Sequence, residues 1–163
     1  MAVYKPKGVS SNKIVVTIRN ILQASLNQPG FSNPTDKKTK VKVGHGGTLD
    51  PMAEGVLVLG IGKGTKLLDE YLKGSKTYLA SGLLGVETDT LDATGKSIEE
   101  KPFAHVTMSM LQDALNKFTC TFDQMPPMYS ALKKDGKPLY VYARQGIDIE
   151  RKARSGLVSG YSY

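Results

Sequence analysis

Asp50 is the carboxylate whose surroundings set it apart. It lies in Gly44-His45-Gly46-Gly47-Thr48-Leu49-Asp50-Pro51, and the apolar run Gly55-Val56-Leu57-Val58-Leu59-Gly60 follows at once. A loop anchored on a buried strand is a common place for chemistry. An aspartate there can attack a sugar or base carbon as a nucleophile. Taken alone, an Asp before a Pro is a turn former. The neighbours raise its interest, because glycines reach backbone conformations closed to other residues. Pro51 also fixes its own φ and biases Asp50 toward an extended backbone. The expectation is a glycine nest that holds the carboxylate in a fixed rotamer.

Other chemistries are poorly served. His45-Gly46-Gly47 is similar to an esterase oxyanion loop, but the chain has no G-x-S-x-G elbow to supply a nucleophile. Two histidines, His45 and His105, and the single Cys120 make a poor zinc set. His105 is expected at the surface and Cys120 as a small buried hydrophobe. Gly60-Ile61-Gly62-Lys63-Gly64 has the look of a nucleotide-binding turn. It lacks the Ser or Thr of a P-loop and falls short of G-x-G-x-x-G. Those glycines are expected to permit tight strand-to-helix packing instead.

A second block runs from Gln124 to Gly146. Here Tyr129, Tyr140 and Tyr142 alternate with Lys133, Lys134, Lys137 and Arg144. Tyrosines stack on unpaired bases and cations meet phosphates, which suits RNA. A packed, tyrosine-rich loop and helix with solvated lysines fits the same residues, so both readings stand at this point.

These residues need elements to carry them. Residues 3–5 begin a short strand, which Pro6 and Gly8 turn. Ser10 or Ser11 caps a helix over 12–25, with Ile14, Val15, Ile18, Ile21 and Leu22 on one face. Residues 27–40, with Lys37, Lys38 and Lys40, read as a solvated loop that can face RNA. Val41 and Val43 lead into the Asp50 motif, and 55–61 is a strand. A short helix over 66–72 carries a buried stripe of Leu67, Leu68, Tyr71 and Leu72, and Gly74 ends it. Residues 76–86 alternate with apolar side chains on both faces, which predicts a central strand. Residues 87–95 form an acidic turn-rich loop, and Ile98 pairs as a short strand. Ser109 caps a helix bearing Leu111, Leu115 and Phe118, and 118–122 reads as β.

At 163 residues the chain fits one domain with a real core. Hydrophobic residues are 40%, which argues against disorder. The balance of 22 Lys+Arg against 15 Asp+Glu, a net +7, favours a polyanionic partner, nucleic acid before membrane. No run approaches the roughly 18 apolar residues of a membrane span. A lone cysteine excludes an internal disulfide and points to a reducing compartment.

Gly44-His45-Gly46-Gly47-Thr48-Leu49-Asp50-Pro51, with Ala53, Gly55, Val56 and Leu57, resembles the catalytic motif of the TruB family of RNA pseudouridine synthases. Lys5-Pro6-Lys7-Gly8 with Ser10-Ser11-Asn12 resembles that family's N-terminal motif, and Lys76-Thr77-Tyr78 its Lys-x-Tyr strand. Gly85, Thr88, Asp89, Thr90, Asp92 and Gly95 match a further motif, as does Pro127-Met128-Tyr129-Ser130-Ala131-Leu132-Lys133. The resemblance runs in the family's order from about residue 3 to Arg154. The basic insertion at 27–40 is similar to the eukaryotic branch.

The resemblance implies an α/β mixed (α+β) fold, a largely antiparallel pseudouridine-synthase sheet flanked by helices. It implies isomerisation of a T-loop uridine of tRNA to pseudouridine, with no metal and no cofactor. Asp50 would be the catalytic aspartate and Tyr78 would stack on the flipped base, since chemistry on a base requires its extrusion. His45 would contact the RNA. Lys5 and Pro6 would support the pocket, and Tyr129, Lys133 and Arg144 would grip the T-arm. Implied partners are the tRNA T-arm and T-loop-like mRNA stem-loops, with a monomeric enzyme and no membrane. The nucleus is the expected compartment and the mitochondrion a second, with no targeting segment visible. A binding-only T-arm module or RNA chaperone is the rival function.

Ser155 to Tyr163 departs from the family pattern, with no helix period or clear core pattern. Residues 1–154 are therefore expected to be a partial catalytic domain and 155–163 a divergent tail. The family's later Tyr-Ile-Arg-like segment, whose arginine would pair with the aspartate, is not found. The expectation is weak or absent activity for a chain without it.

Overall fold

A computed structural model describes residues 1–28 and 40–161, so most of the basic 27–40 loop lies outside the described residues. The chain divides into two units, Met1–Leu79 and Ala80–Tyr163. Every strand pairing in both is antiparallel. The fold is the expected mixture of helices and antiparallel strands.

The first unit is built on β3 (Gly55–Ile61), which pairs with β1 (Ala2–Lys5) on one side and β2 (Val43–His45) on the other. The β1 register places Lys5 opposite Gly55, and the β2 register places His45 opposite Leu59. Helix α1 (Ser11–Leu26) starts where Ser10 caps it, the Ser10 side chain accepting from the Lys13 amide at 3.2 Å. The period-3.6 stripe of α1 covers one face of the sheet. Val15, Val43, Leu57 and Leu59 are its buried centre, with Val3, Ile14, Ile18, Leu22 and Val41 packed around them. Full burial of such side chains stabilises by roughly 1.5–3 kcal/mol each. On the opposite face of the same strand Val56 is exposed.

After β3 the chain turns through a 3-10 helix, Gly62–Leu67, into α2 (Leu68–Lys73), which Gly74 closes. The tight packing expected of this turn is present. A Cβ on Gly60 would stand 2.7 Å from the Gly64 carbonyl oxygen and 2.8 Å from the Thr65 Cα. The expected buried stripe is not. Leu67, Tyr71 and Leu72 are all more than half exposed, and only Leu68 is half-buried. Six residues of α2 are too short to lay a continuous stripe on the sheet.

The predicted central strand over 76–86 is also overturned. Residues 75–83 adopt no regular structure, and Tyr78, Leu79 and Leu83 are exposed, Leu79 completely. A central strand needs neighbours on both edges. Among the described residues no strand pairs with this stretch, so its alternating pattern has no sheet to join.

The second unit is assembled from small pieces. β4 (Val86–Thr88) and β5 (Ser97–Glu100) flank the acidic turn. Helix α3 (Met108–Phe118) is capped by Thr107, two residues before the expected Ser109, with the Thr107 hydroxyl accepting from the Met110 amide at 3.2 Å. β6 begins at Thr121, so the expected β segment at 118–122 starts late. Cys120 lies just ahead of it and is exposed, not buried as expected, because α3 presents only a half-buried face at Leu111 and Leu115. β6 (Thr121–Gln124) pairs with β9 (Arg154–Leu157), which gives regular structure to Ser155–Leu157, where no pattern was expected.

Between them β7 (Lys133–Lys134) and β8 (Lys137–Pro138) form a two-residue hairpin. Its Asp135 and Gly136 both have positive φ, +50° and +78°, the pairing that Asp-Gly favours in such turns. Helix α4 (Leu139–Ala143) follows, with Leu139 fully buried.

Candidate active-site loop

The loop from β2 to β3 is tied down along its backbone. The Gly46 amide donates to the Val58 carbonyl at 2.8 Å. Ser11 Oγ donates to the Leu49 carbonyl and accepts from the Leu49 amide, both at 2.9 Å. The Gly8 amide donates to the Pro51 carbonyl at 2.7 Å, and the Ala53 amide to the Asp50 carbonyl at 3.1 Å. Lys5 is wholly buried, and its ammonium donates to the carbonyls of Val9 (2.7 Å), Pro6 (3.1 Å) and Pro51 (3.5 Å). The turn between β1 and α1 thus grips the loop on both sides of Asp50.

The glycines serve this arrangement differently from one another. Gly47 has φ +144°, a left-handed conformation that needs glycine. Gly44 and Gly46 are small because α2 packs on them. A Cβ on Gly46 would meet the Tyr71 Cβ at 2.8 Å, and one on Gly44 the Leu68 Cδ1 at 3.1 Å.

The expectation of a carboxylate locked by a glycine nest is corrected. Asp50 is exposed, and among the described residues its carboxylate has no hydrogen-bond or ion-pair partner. What is held is its backbone. His45 is half-buried on β2, with Nδ1 buried and, among the described residues, unpaired. Nearby, Tyr4 donates to the Glu54 carboxylate at 2.8 Å, which raises the phenol above its usual pKa range.

Asp50, His45 and Lys5 therefore share the strand-and-loop frame of the first unit, and Pro6 sits in the turn that grips it. Tyr78 lies in the irregular stretch of that unit, exposed, with no hydrogen bond to Asp50 or His45 among the described residues. Tyr129, Lys133 and Arg144 belong to the second unit. Tyr129 and Lys133 are exposed, and the Arg144 guanidinium lies 5.3 Å from the centre of the Tyr140 ring, a cation–π distance. Tyr142 donates to the Lys134 carbonyl at 3.3 Å, fastening α4 to the basic hairpin. Reading residue types alone missed Ser11 as a loop contact. It also missed the Asp135-Gly136 hairpin, for which the dipeptide was the available signal. Among the described residues there is no His/Cys/Asp/Glu cluster for a metal ion, and no helix is long and apolar enough to cross a membrane.

This frame, with an aspartate presented on a braced glycine loop, falls in a known class. Residues 35–162 match the N-terminal domain of the TruB family of pseudouridylate synthases, and the chain belongs to that family. It is 48% identical over 151 residues to pseudouridylate synthase TRUB1 of Homo sapiens, covering 93% of this chain and 43% of the relative. It is 47% identical over 162 residues to the Mus musculus protein of the same name, covering 99% of this chain and 48% of the relative. To the tRNA pseudouridine synthase B of Aromatoleum aromaticum it is 47% identical over 150 residues, covering 92% and 43%. The chain spans a little under half the length of these relatives.

Proposed function

We propose that this chain carries the aspartate chemistry of a tRNA pseudouridine synthase acting on a T-loop uridine. The observation that carries the reading is an exposed carboxylate, Asp50, unpaired among the described residues, on a loop whose backbone is held on both sides, in a chain of the TruB family. A free carboxylate on a fixed backbone is poised to attack a sugar or base carbon. The bond between the sugar and the base nitrogen breaks, and a bond from the sugar to a base carbon forms. That carbon loses its proton and the nitrogen gains one. Substrate and product are isomers, so no oxidant, reductant or cosubstrate is consumed.

The target base must leave its stack to reach Asp50. Tyr78, exposed and aromatic, is the side chain we assign to stack on it, with His45 as an RNA contact. The tyrosines and cations of the second unit, Tyr129, Lys133 and Arg144, are assigned to the T-arm. A messenger RNA stem-loop of the same shape would be read by the same groups.

The test is Asp50→Asn in a chain extended to the full length of the relatives, with a T-arm stem-loop RNA, following both binding and pseudouridine formation by carbodiimide labelling and primer extension. Product is expected to fall by roughly 10³-fold or more while binding stays within about threefold. Product made by the extended Asp50→Asn chain, or RNA bound by the extended wild-type chain with none formed, overturns the proposal; the second result is the signature of a binding-only module, and the 163-residue chain by itself is expected to turn over weakly or not at all. Lys133→Ala and Arg144→Ala are expected to weaken binding and flatten its salt dependence, by about 0.7–0.9 in the log–log slope for each phosphate no longer neutralised.

A further inference from the structure

Two adjacent serines do different work at the start of α1. Ser10 is the cap, its side chain accepting from the Lys13 amide. Ser11 is 2% exposed and turns the other way, to the Asp50 loop. Its hydroxyl donates to the Leu49 carbonyl and accepts from the Leu49 amide, both at 2.9 Å. A serine hydroxyl has one donor and two acceptor positions, so a single Oγ closes both bonds.

We infer that Ser11 is a positioning residue for Asp50, a role that rests on the pseudouridine-synthase reading above. The Leu49 carbonyl belongs to the peptide plane that enters Asp50. The plane that leaves Asp50 is held by the Ala53 amide on the Asp50 carbonyl, 3.1 Å away. Asp50 is suspended between two anchored planes, and only its side-chain torsions remain free to meet the substrate. Alanine at 11 leaves the Leu49 amide and carbonyl without their partner and releases the entering plane. A displacement of about 1 Å at a reacting group costs on the order of 100-fold in rate. Ser11 touches no substrate in this scheme and acts through Leu49.

The experiment uses the same chain extended to the full length of the relatives with a saturating T-arm stem-loop RNA, comparing Ser11→Ala, Ser11→Thr and Ser10→Ala. The readouts are the single-turnover rate, the RNA dissociation constant, and amide hydrogen exchange at Leu49, Leu57 and Leu59. Ser11→Ala is expected to slow the single turnover by roughly 30- to 100-fold. Binding should stay within about threefold. Exchange at Leu49 should accelerate while Leu57 and Leu59, inside β3, keep their protection. Ser11→Thr, which restores a hydroxyl, should recover most of the rate. Ser10→Ala should lower the melting temperature without slowing the reaction.

Ser11→Ala with a wild-type rate overturns the role, as does a slowing that Ser10→Ala shares. Where Ser11→Ala also loses protection in β3, Ser11→Cys decides by the same split, since it keeps the volume and weakens the hydrogen bonds. An extended wild-type chain that forms no product defeats the functional reading and this role with it. An active wild type with an unslowed Ser11→Ala defeats this role alone.

Discussion

The buried ammonium of Lys5 reaches across to the Pro51 carbonyl, 3.5 Å away, one residue beyond Asp50. It also donates to the Val9 carbonyl at 2.7 Å and to the Pro6 carbonyl at 3.1 Å, so its three protons meet three carbonyls. Among the described residues no carboxylate pairs with it. A buried charge satisfied by backbone oxygens fixes the strands and turns that own them. Lys5→Met is expected to destabilise the chain by about 1–3 kcal/mol, the range for orphaned buried acceptors. The urea midpoint measures it. An unchanged midpoint would mean that these carbonyls find water instead.

Gly60 and Gly64 make a paired test of the strand-to-helix turn. The three atoms nearest a Cβ on Gly60 would be backbone, at 2.7–2.9 Å from Gly64 and Thr65, and backbone cannot swing aside. Gly60→Ala should cost about 1–3 kcal/mol through overpacking. A Cβ on Gly64 has nothing within 4 Å, and Gly64→Ala should stay within about 0.5 kcal/mol. Thermal melts of both variants are the measurement, and similar melting temperatures for the two would contradict the packing described.

Asp92 organises the turn between β4 and β5. Its carboxylate accepts from the Thr94 side chain, from the Thr90 hydroxyl at 2.8 Å and from the Thr94 amide at 2.8 Å. The Thr94 hydroxyl, then the Thr90 hydroxyl, hold its pKa below the usual aspartate value. The sign follows from linkage. A depressed folded pKa stabilises the turn above the unfolded pKa, and that contribution is lost as pH falls through the folded pKa. The turn should therefore be unaffected from neutral pH down to the ordinary aspartate range and loosen only below it. An NMR titration of the Asp92 carboxyl and the Thr94 amide checks this; a midpoint above the ordinary value would refute it.

The legible parts of this fold were the local ones. Ser10 and the stripe of Ile14, Val15, Ile18 and Leu22 announce α1, because capping and periodicity act within a few residues. The run from Gly55 to Gly60 announces β3 for the same reason. Residues 76–86 misled because alternation shows only that a strand is possible, and pairing must come from elsewhere in the chain. Cys120 misled because burial depends on what packs over a residue, and the exposed end of α3 leaves it open.

At the Asp50 loop the division is sharper. Residue types alone picked out Asp50, His45 and a glycine-dense turn, and the order of the motifs pointed to the TruB family. Which atoms hold Asp50 was not written in that order. Ser11 and Leu49 are 38 residues apart, and Lys5 and Pro51 are 46 apart. They meet only because β1 and β2 both pair with β3, which brings the turn before α1 against the loop before β3. A carboxylate's identity is a property of one residue. The anchoring of its backbone is a property of partners that only the folded sheet brings within hydrogen-bond reach.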